Sequence, residues 1–316
     1  MGIRSSEWFS TYSIVARDPE PGQFGVAVQT HQMSVGAHVP WLLPGVGAIA
    51  TQAMVNVSFG PMGLALLHEG VPAPKVIEAL VASDARPHVR QVAAIDAHGQ
   101  AGAWTGQHCI PEAGHRIGEG YSVQANMMDR PTVVAAMAAA YEQAQADLAA
   151  RMLAALYAAQ GEGGDIRGMQ SAALRVVSGT VDPKALSEER SIYDLRVDEH
   201  EYPLDELARL VRLRRAQLLD DEGHRAFERG DRLLAFERWE QARALAPELE
   251  EVGFWQAVTL ADHPAEVVRA AEILSQALAQ ESRREQWIDL LRRLQVCGEI
   301  ERPGAAEELI KASRKL

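Results

Sequence analysis

The sequence predicts an α+β fold with mainly antiparallel sheets, followed by an all-helical region. Two patterns carry this prediction. Through the first two-thirds of the chain, short β-rich runs are joined by hairpin turns rather than by helical crossovers. From Leu204 to Leu316 helical spacing stands alone, with no strand signal, so the boundary falls near Pro203.

The first hairpin starts at Thr11, where TYSIVARD and QFGVAVQTH are separated by PEPG, the Pro and Gly punctuation a tight turn requires. Pairing Asp18 with Gln23 across that turn puts Thr11 opposite Thr30 and next to His31, within a residue or two. Val46 to Asn56 is another apolar run and is best read as a strand. Leu64, Leu67 and Val71, then Val76, Ile77 and Leu80, fall at helical spacing around Pro72 and Pro74, which predicts two helices between Gly63 and Ser83. A second hairpin, QVAAIDAHGQAGAWT, turns at Ala97-His98-Gly99, and Gly120 to Asn126 forms a further strand. Thr132 to Gln160 is predicted as one Ala-rich helix, entered through Asp129 and Pro131 and ended by Gly161, Gly163 and Gly164. Gln170 to Val177 and Ile192 to Val197 complete the strands.

In the C-terminal region, counting back from Pro247 over one repeat length places Gly223, Ala235, Trp239 and Ala242 at the small, small, aromatic and small positions of a tetratricopeptide-like pattern. A following repeat, Val252 to Gln280, is degenerate, with Ala257 and Ala271 near the small positions. So few repeats bury little core alone, which predicts that this module leans on the first domain, a second subunit or a protein partner. Trp255 and Trp287 are candidates for such contacts, or else for internal core.

The formal net charge of -12 argues against nucleic acid as a partner, because phosphate backbones are bound by clustered Lys and Arg. Cys109 and Cys297 lie far apart, so no disulfide framework or paired-cysteine metal site is expected. No signal-like or membrane-spanning apolar run occurs, which predicts a cytoplasmic protein without a membrane partner. No metal or other cofactor is expected.

The segments TYSIVARDPEPGQFGVAVQTH, GVGAIATQAMVNVSFGPMGLALL, RQVAAIDAHGQAGAWTG, GYSVQANMM, GDIRGMQSAAL and YDLRVDEH occur in order over roughly residues 11 to 200. Together they resemble a bacterial domain-of-unknown-function family assigned to the N-terminal-nucleophile (Ntn) hydrolase superfamily. The resemblance implies a four-layer αββα sandwich over residues 11–203, with a helical tetratricopeptide-like domain over 204–316 and residues 1–10 as an extension or propeptide. Some members of the family carry a C-terminal region named for peptidoglycan binding.

Chemistry of the Ntn kind needs a Ser, Thr or Cys at the start of a strand, whose side chain attacks an amide carbonyl while its own free α-amine serves as base. Thr11 meets that description; Ser13, two residues into the strand, would have no free amine. Ten residues precede Thr11, so the amine exists only once the Ser10–Thr11 bond is cut, by self-cleavage or by another protease. His31 either polarises the nucleophile and holds substrate or is a strand-end surface residue. Asn126 is an oxyanion donor or a turn cap. Asp165 and Arg167, in a glycine-flanked loop, order the amine or clamp a substrate carboxylate, or else hold the loop as an internal ion pair. Gln52 and Asn56 are further substrate-binding candidates. Cys109, with His108 and His115 nearby, is the weaker nucleophile, since nothing adjacent activates it.

The expected activity is hydrolysis of a small amide or peptide-like bond through an acyl-enzyme on Thr11. The alternative is a non-catalytic binding protein whose helical domain mediates homodimer, protein or peptidoglycan-fragment contacts.

Overall fold

The computed structural model describes residues 8–9, 11–20, 22–181, 191–279 and 281–315. Of the expected N-terminal extension, residues 1–7 and 10 lie outside that set, as does Pro21 in the first turn. The chain divides into two compact units, Met1–Val211 and Arg212–Leu316. Composition changes at Pro203, but a helix, α5 (Pro203–Glu228), starts there, and the division falls inside it.

In the first unit, the described strands form two antiparallel sheets. The six-stranded sheet is ordered β11 (Ser191–Val197), β10 (Ser171–Ser178), β3 (Gln23–Thr30), β2 (Thr11–Asp18), β9 (Tyr121–Asn126) and β8 (Gly114–Gly118). The five-stranded sheet runs β5 (Gly47–Met54), β6 (Arg90–Asp96) and β7 (Ala101–Thr105), while β1 (Trp8–Phe9) and β4 (Pro40–Leu43) share the other side of β5. The β2–β3 hairpin has the register its sequence predicts, Asp18 with Gln23 and Thr11 with Thr30. Neither β4 nor β8 was foreseen, because PWLL and GHRIG are short and lack the alternation that marks a half-buried strand.

Alternation along the strands sorts their side chains between two cores. Val15, Val26 and Val28 of the six-stranded sheet pack with Ala48, Ala50, Ala93 and Ile95 of the other sheet. Ile49, Val92 and Ala94 face the opposite way, against Phe59 and Leu67 of α1 (Phe59–His68) and Val76, Ile77 and Leu80 of α2 (Ala73–Ser83). The single helix expected over Thr132 to Gln160 is in fact two, α3 (Val133–Gln143) and α4 (Leu148–Gly161). Ala144 turns extended, and the Asp147 carboxylate accepts from the Ala150 N–H at 2.9 Å, so a new helix is capped four residues after the first ends. Alanine favours helix at every position and therefore hides such a break. α4 lies against β2 and β3, and α3 against β8 and β9.

The second unit is helical, with α6 (Arg232–Leu245), α7 (Glu250–Ala261), α8 (Val267–Ala277), α9 (Arg284–Cys297) and α10 (Ala305–Ser313) following α5. Its core holds Trp239, Phe254, Leu260, Leu274, Ile288 and Leu291. Gly223 is buried against Trp239, where a Cβ would lie 2.6 Å from the indole nitrogen. Trp287 packs half-buried against this core, its ring centroid 4.7 Å from that of Phe254, whereas Trp255 is 42% exposed. Among the described residues no helix is long and apolar enough to cross a membrane.

Candidate active site

Strand register brings four residues into one row across the six-stranded sheet: Ser171 pairs with Thr30, Thr30 with Thr11, and Thr11 with Asn126. All four are buried, Thr11 at 0% exposure. Side chains two apart on a strand share a face, so Ser13 and Gln124, paired with each other, lie on the same side as this row. That side meets the five-stranded sheet, from which Gln52 and Gln91, themselves paired between β5 and β6, reach across.

The result is a buried network of neutral amides and hydroxyls. Gln52 Nε2 donates to the Thr11 carbonyl at 3.1 Å and to Gln91 Oε1 at 2.7 Å, and Asn126 Nδ2 donates to the same two acceptors at 3.4 and 2.9 Å. Ser13 Oγ donates to Gln52 Oε1 and accepts from Gln124 Nε2, both at 2.6 Å, so this serine bonds across the sheets rather than locally. Gln91 Nε2 faces the Ala125 carbonyl and Thr105 Oγ1, each at 2.9 Å, and Thr105 Oγ1 lies 2.8 Å from His115 Nδ1. Partial desolvation holds the His115 imidazole below its ordinary pKa.

A second cluster sits where β3 and β9 end, on either side of β2. The glycine-flanked loop ties both ends together: Ile166 N–H donates to the Met127 carbonyl, and Gln170 N–H to the Thr30 carbonyl. Asp165, nearly fully buried, accepts from the His31 N–H at 3.0 Å and from Arg167 Nη2 at 2.9 Å and Nε at 3.1 Å. Arg167 keeps a third of its side chain exposed. Burial, with the Asp165 charge in support, raises the Tyr12 hydroxyl well above its ordinary pKa, and that hydroxyl donates to Gln160 Oε1 at 3.0 Å.

The structure therefore brings together Thr11, Gln52 and Asn126 by direct contact, with Asp165, Arg167 and His31 at the same end of the sheet. His31 is half-buried one residue beyond Thr30, and among the described residues its imidazole makes no hydrogen bond. Asn126, read from sequence as an oxyanion donor or a turn cap, directs its amide to the carbonyl of Thr11. Asn56 goes elsewhere, donating to Asp84 at 2.9 Å beside the buried Asp84–Arg90 ion pair. Burial pushes the Cys109 thiol up to about 11, the opposite of what a nucleophile needs. Among the described residues no group of three His, Cys, Asp or Glu side chains could hold a metal.

Gln91, Gln124 and Thr105 were not anticipated. Their signal is faint: glutamines inside otherwise apolar strands, RQVAAID and YSVQAN, where a buried amide demands partners.

Residues 11–207 match a family described as a family of unknown function, DUF1028. The crystal structure of protein SPO2555 from Silicibacter pomeroyi, itself described under DUF1028, is 30% identical and covers 64% of this chain and 84% of its own, with a TM-score of 0.57. No curated protein matches.

Proposed function

The chain belongs to DUF1028, a family of unknown function, and we propose that it is an amide hydrolase of the N-terminal-nucleophile type whose nucleophile is Thr11. One observation carries the proposal. Between Phe9, paired with Ala53 in the five-stranded sheet, and Thr11, paired with Thr30 and Asn126 in the six-stranded sheet, the chain has a single residue in which to change sheets. Thr11 is the first residue beyond that change of sheet to be paired, and the family match begins at Thr11.

The chemistry runs in two stages. Thr11 Oγ attacks the Ser10 carbonyl carbon, the C–N bond to Thr11 breaks, and the hydroxyl proton passes to the departing nitrogen. Water then hydrolyses the resulting ester, leaving a carboxylate on Ser10 and a free amine on Thr11. That amine, with an ordinary pKa of about 7.7–8.0, accepts the hydroxyl proton when Oγ attacks a substrate amide, and passes it to the leaving amine; water releases the acid. Gln52 and Asn126 hold the Thr11 carbonyl and so fix the direction of both groups. Arg167, a third exposed and steadied by Asp165, suits a substrate carboxylate.

The layering supports the same reading: α1 and α2 lie on one outer face and α3 and α4 on the other, around two facing sheets, the αββα order expected of Ntn hydrolases. In the second unit, the buried Gly223, Ala235, Trp239 and Ala242 fit tetratricopeptide-like packing and suit a protein-docking role.

Intact-mass spectrometry over time tests the proposal. Wild-type chain loses residues 1–10 and then takes a β-lactone adduct on Thr11, while Thr11→Ala does neither. A wild-type chain that stays whole and unlabelled leaves the non-catalytic binding protein as the surviving alternative.

A further inference from the structure

β5 offers one side to two partners. β4 covers it from Gly47 to Ala50, and β1 covers it at Ala53 and Met54, in the register Trp8 with Met54 and Phe9 with Ala53. Ala53 itself has a φ of 64°, a left-handed conformation rare for a residue with a side chain, so the backbone bends where β1 joins. If the bond ahead of Thr11 is cut, the hold on β1 seen among the described residues is this two-residue pairing. Its departure leaves the main-chain groups of Ala53 and Met54 without a strand, and an open strand edge is a template for another extended chain.

We propose that the Ala53–Met54 edge of β5 is a strand-docking site, and that the substrate is an extended, peptide-like chain whose acyl side pairs there as Trp8 and Phe9 do. The proposal rests on the amide-hydrolase reading of Thr11 and gives it a substrate class. The same hydroxyl attacks the Ser10 carbonyl first and the substrate carbonyl afterwards, so the edge that aligns one carbonyl aligns the other. A substrate laid antiparallel in this register presents its scissile carbonyl one residue after the pair with Ala53. Upstream it continues past Met54 to Val55 and Asn56, which line a cavity of about 490 Å3 with Asp84, Arg86 and Arg90. Polar and charged groups there stand among apolar ones such as Val55 and Val57, which gives Asn56 a place in substrate binding distant from the reacting bond.

The test separates docking from hydrolysis. In the full chain, with Thr11→Ala, a recognition sequence for a specific protease replaces residues 7–10; the folded protein is cut there and the released segment removed. The probe is a synthetic peptide of residues 5–10. It is expected to bind, to restore hydrogen-exchange protection at Ala53 and Met54, and to lose at least tenfold in affinity when its Trp8 and Phe9 amides are N-methylated. Should the cut chain lose its fold, Phe9→Pro in the uncut chain displaces β1 and opens the same edge to the same peptide. Absence of binding, or equal binding of the N-methylated peptide, overturns the proposal. Peptide binding without cleavage of any amide by the Thr11 protein keeps the docking edge and rejects the hydrolase. Cleavage of simple acyl amides without peptide binding does the reverse.

Discussion

Gln91 holds more of the site together than any residue singled out from sequence. Its carbonyl oxygen accepts from both Gln52 and Asn126, the two amides that grip the Thr11 carbonyl, and its nitrogen serves Thr105 and the Ala125 carbonyl. Gln91→Leu keeps the volume but takes an acceptor from both of those amides and a donor from Thr105 and the Ala125 carbonyl. Each unsatisfied group costs about 1–3 kcal/mol, so urea denaturation of the uncut chain is expected to show a loss of at least ~2 kcal/mol. Release of residues 1–10 slows at least tenfold in the same variant, measured by mass, because Thr11 is no longer held in line. A Gln91→Leu protein of normal stability that processes at the normal rate would show that the network is ornamental. The Thr11–Thr30 pairing was legible in the sequence because a hairpin's register follows from its turn and a period of two. The network was not, since Gln52 and Gln91 belong to another sheet, and no local pattern says which amides meet across a sheet interface.

The segment from α2 to β6 carries a buried charge pair. Asp84 and Arg90 meet at 2.8 Å with side chains 6% and 10% exposed. Burial opposes ionisation of Asp84, but hydrogen bonds from the Arg86 N–H, Arg90 and Asn56, with the Arg90 charge, together hold its carboxyl below the ordinary value. A folded-state pKa below the unfolded one stabilises the protein above the unfolded pKa, near 3.9, and that contribution is lost as pH falls through the folded value. Asp84→Asn, which strands Arg90, is therefore expected to cost about 3 kcal/mol at neutral pH. Denaturation midpoints of variant and wild type should converge below about pH 4 as the wild-type carboxylate is protonated. A constant gap across that range would assign the loss to packing. The two helices between Gly63 and Ser83 were readable from their prolines, whereas the α3–α4 break was not, because a single capping aspartate decides it among alanines.

At the scale of the whole molecule, the second unit depends on one large ring. Trp239 is fully buried in its core and pressed against Gly223. Trp239→Ala is expected to cost about 3–5 kcal/mol. Hydrogen exchange should then quicken within residues 212–316 while strands β2, β3 and β9 stay protected; equal loosening of both units would mean that they unfold as one. The change of architecture was visible in sequence as the loss of strand signal, and Gly223 and Trp239 were visible as a spacing, but the compact units divide inside α5, where unbroken helical periodicity leaves no mark. Most chain ends fray because little holds them. β2 is gripped by β3 on one side and β9 on the other, so an end created at Thr11 would begin life immobilised, while the described part of the piece cut away, Trp8 and Phe9, would keep its pairing with β5. The scission would thus leave a fixed nucleophile beside a vacated strand edge: the retained end cannot swing out to search for a partner, so any later carbonyl has to be delivered to it.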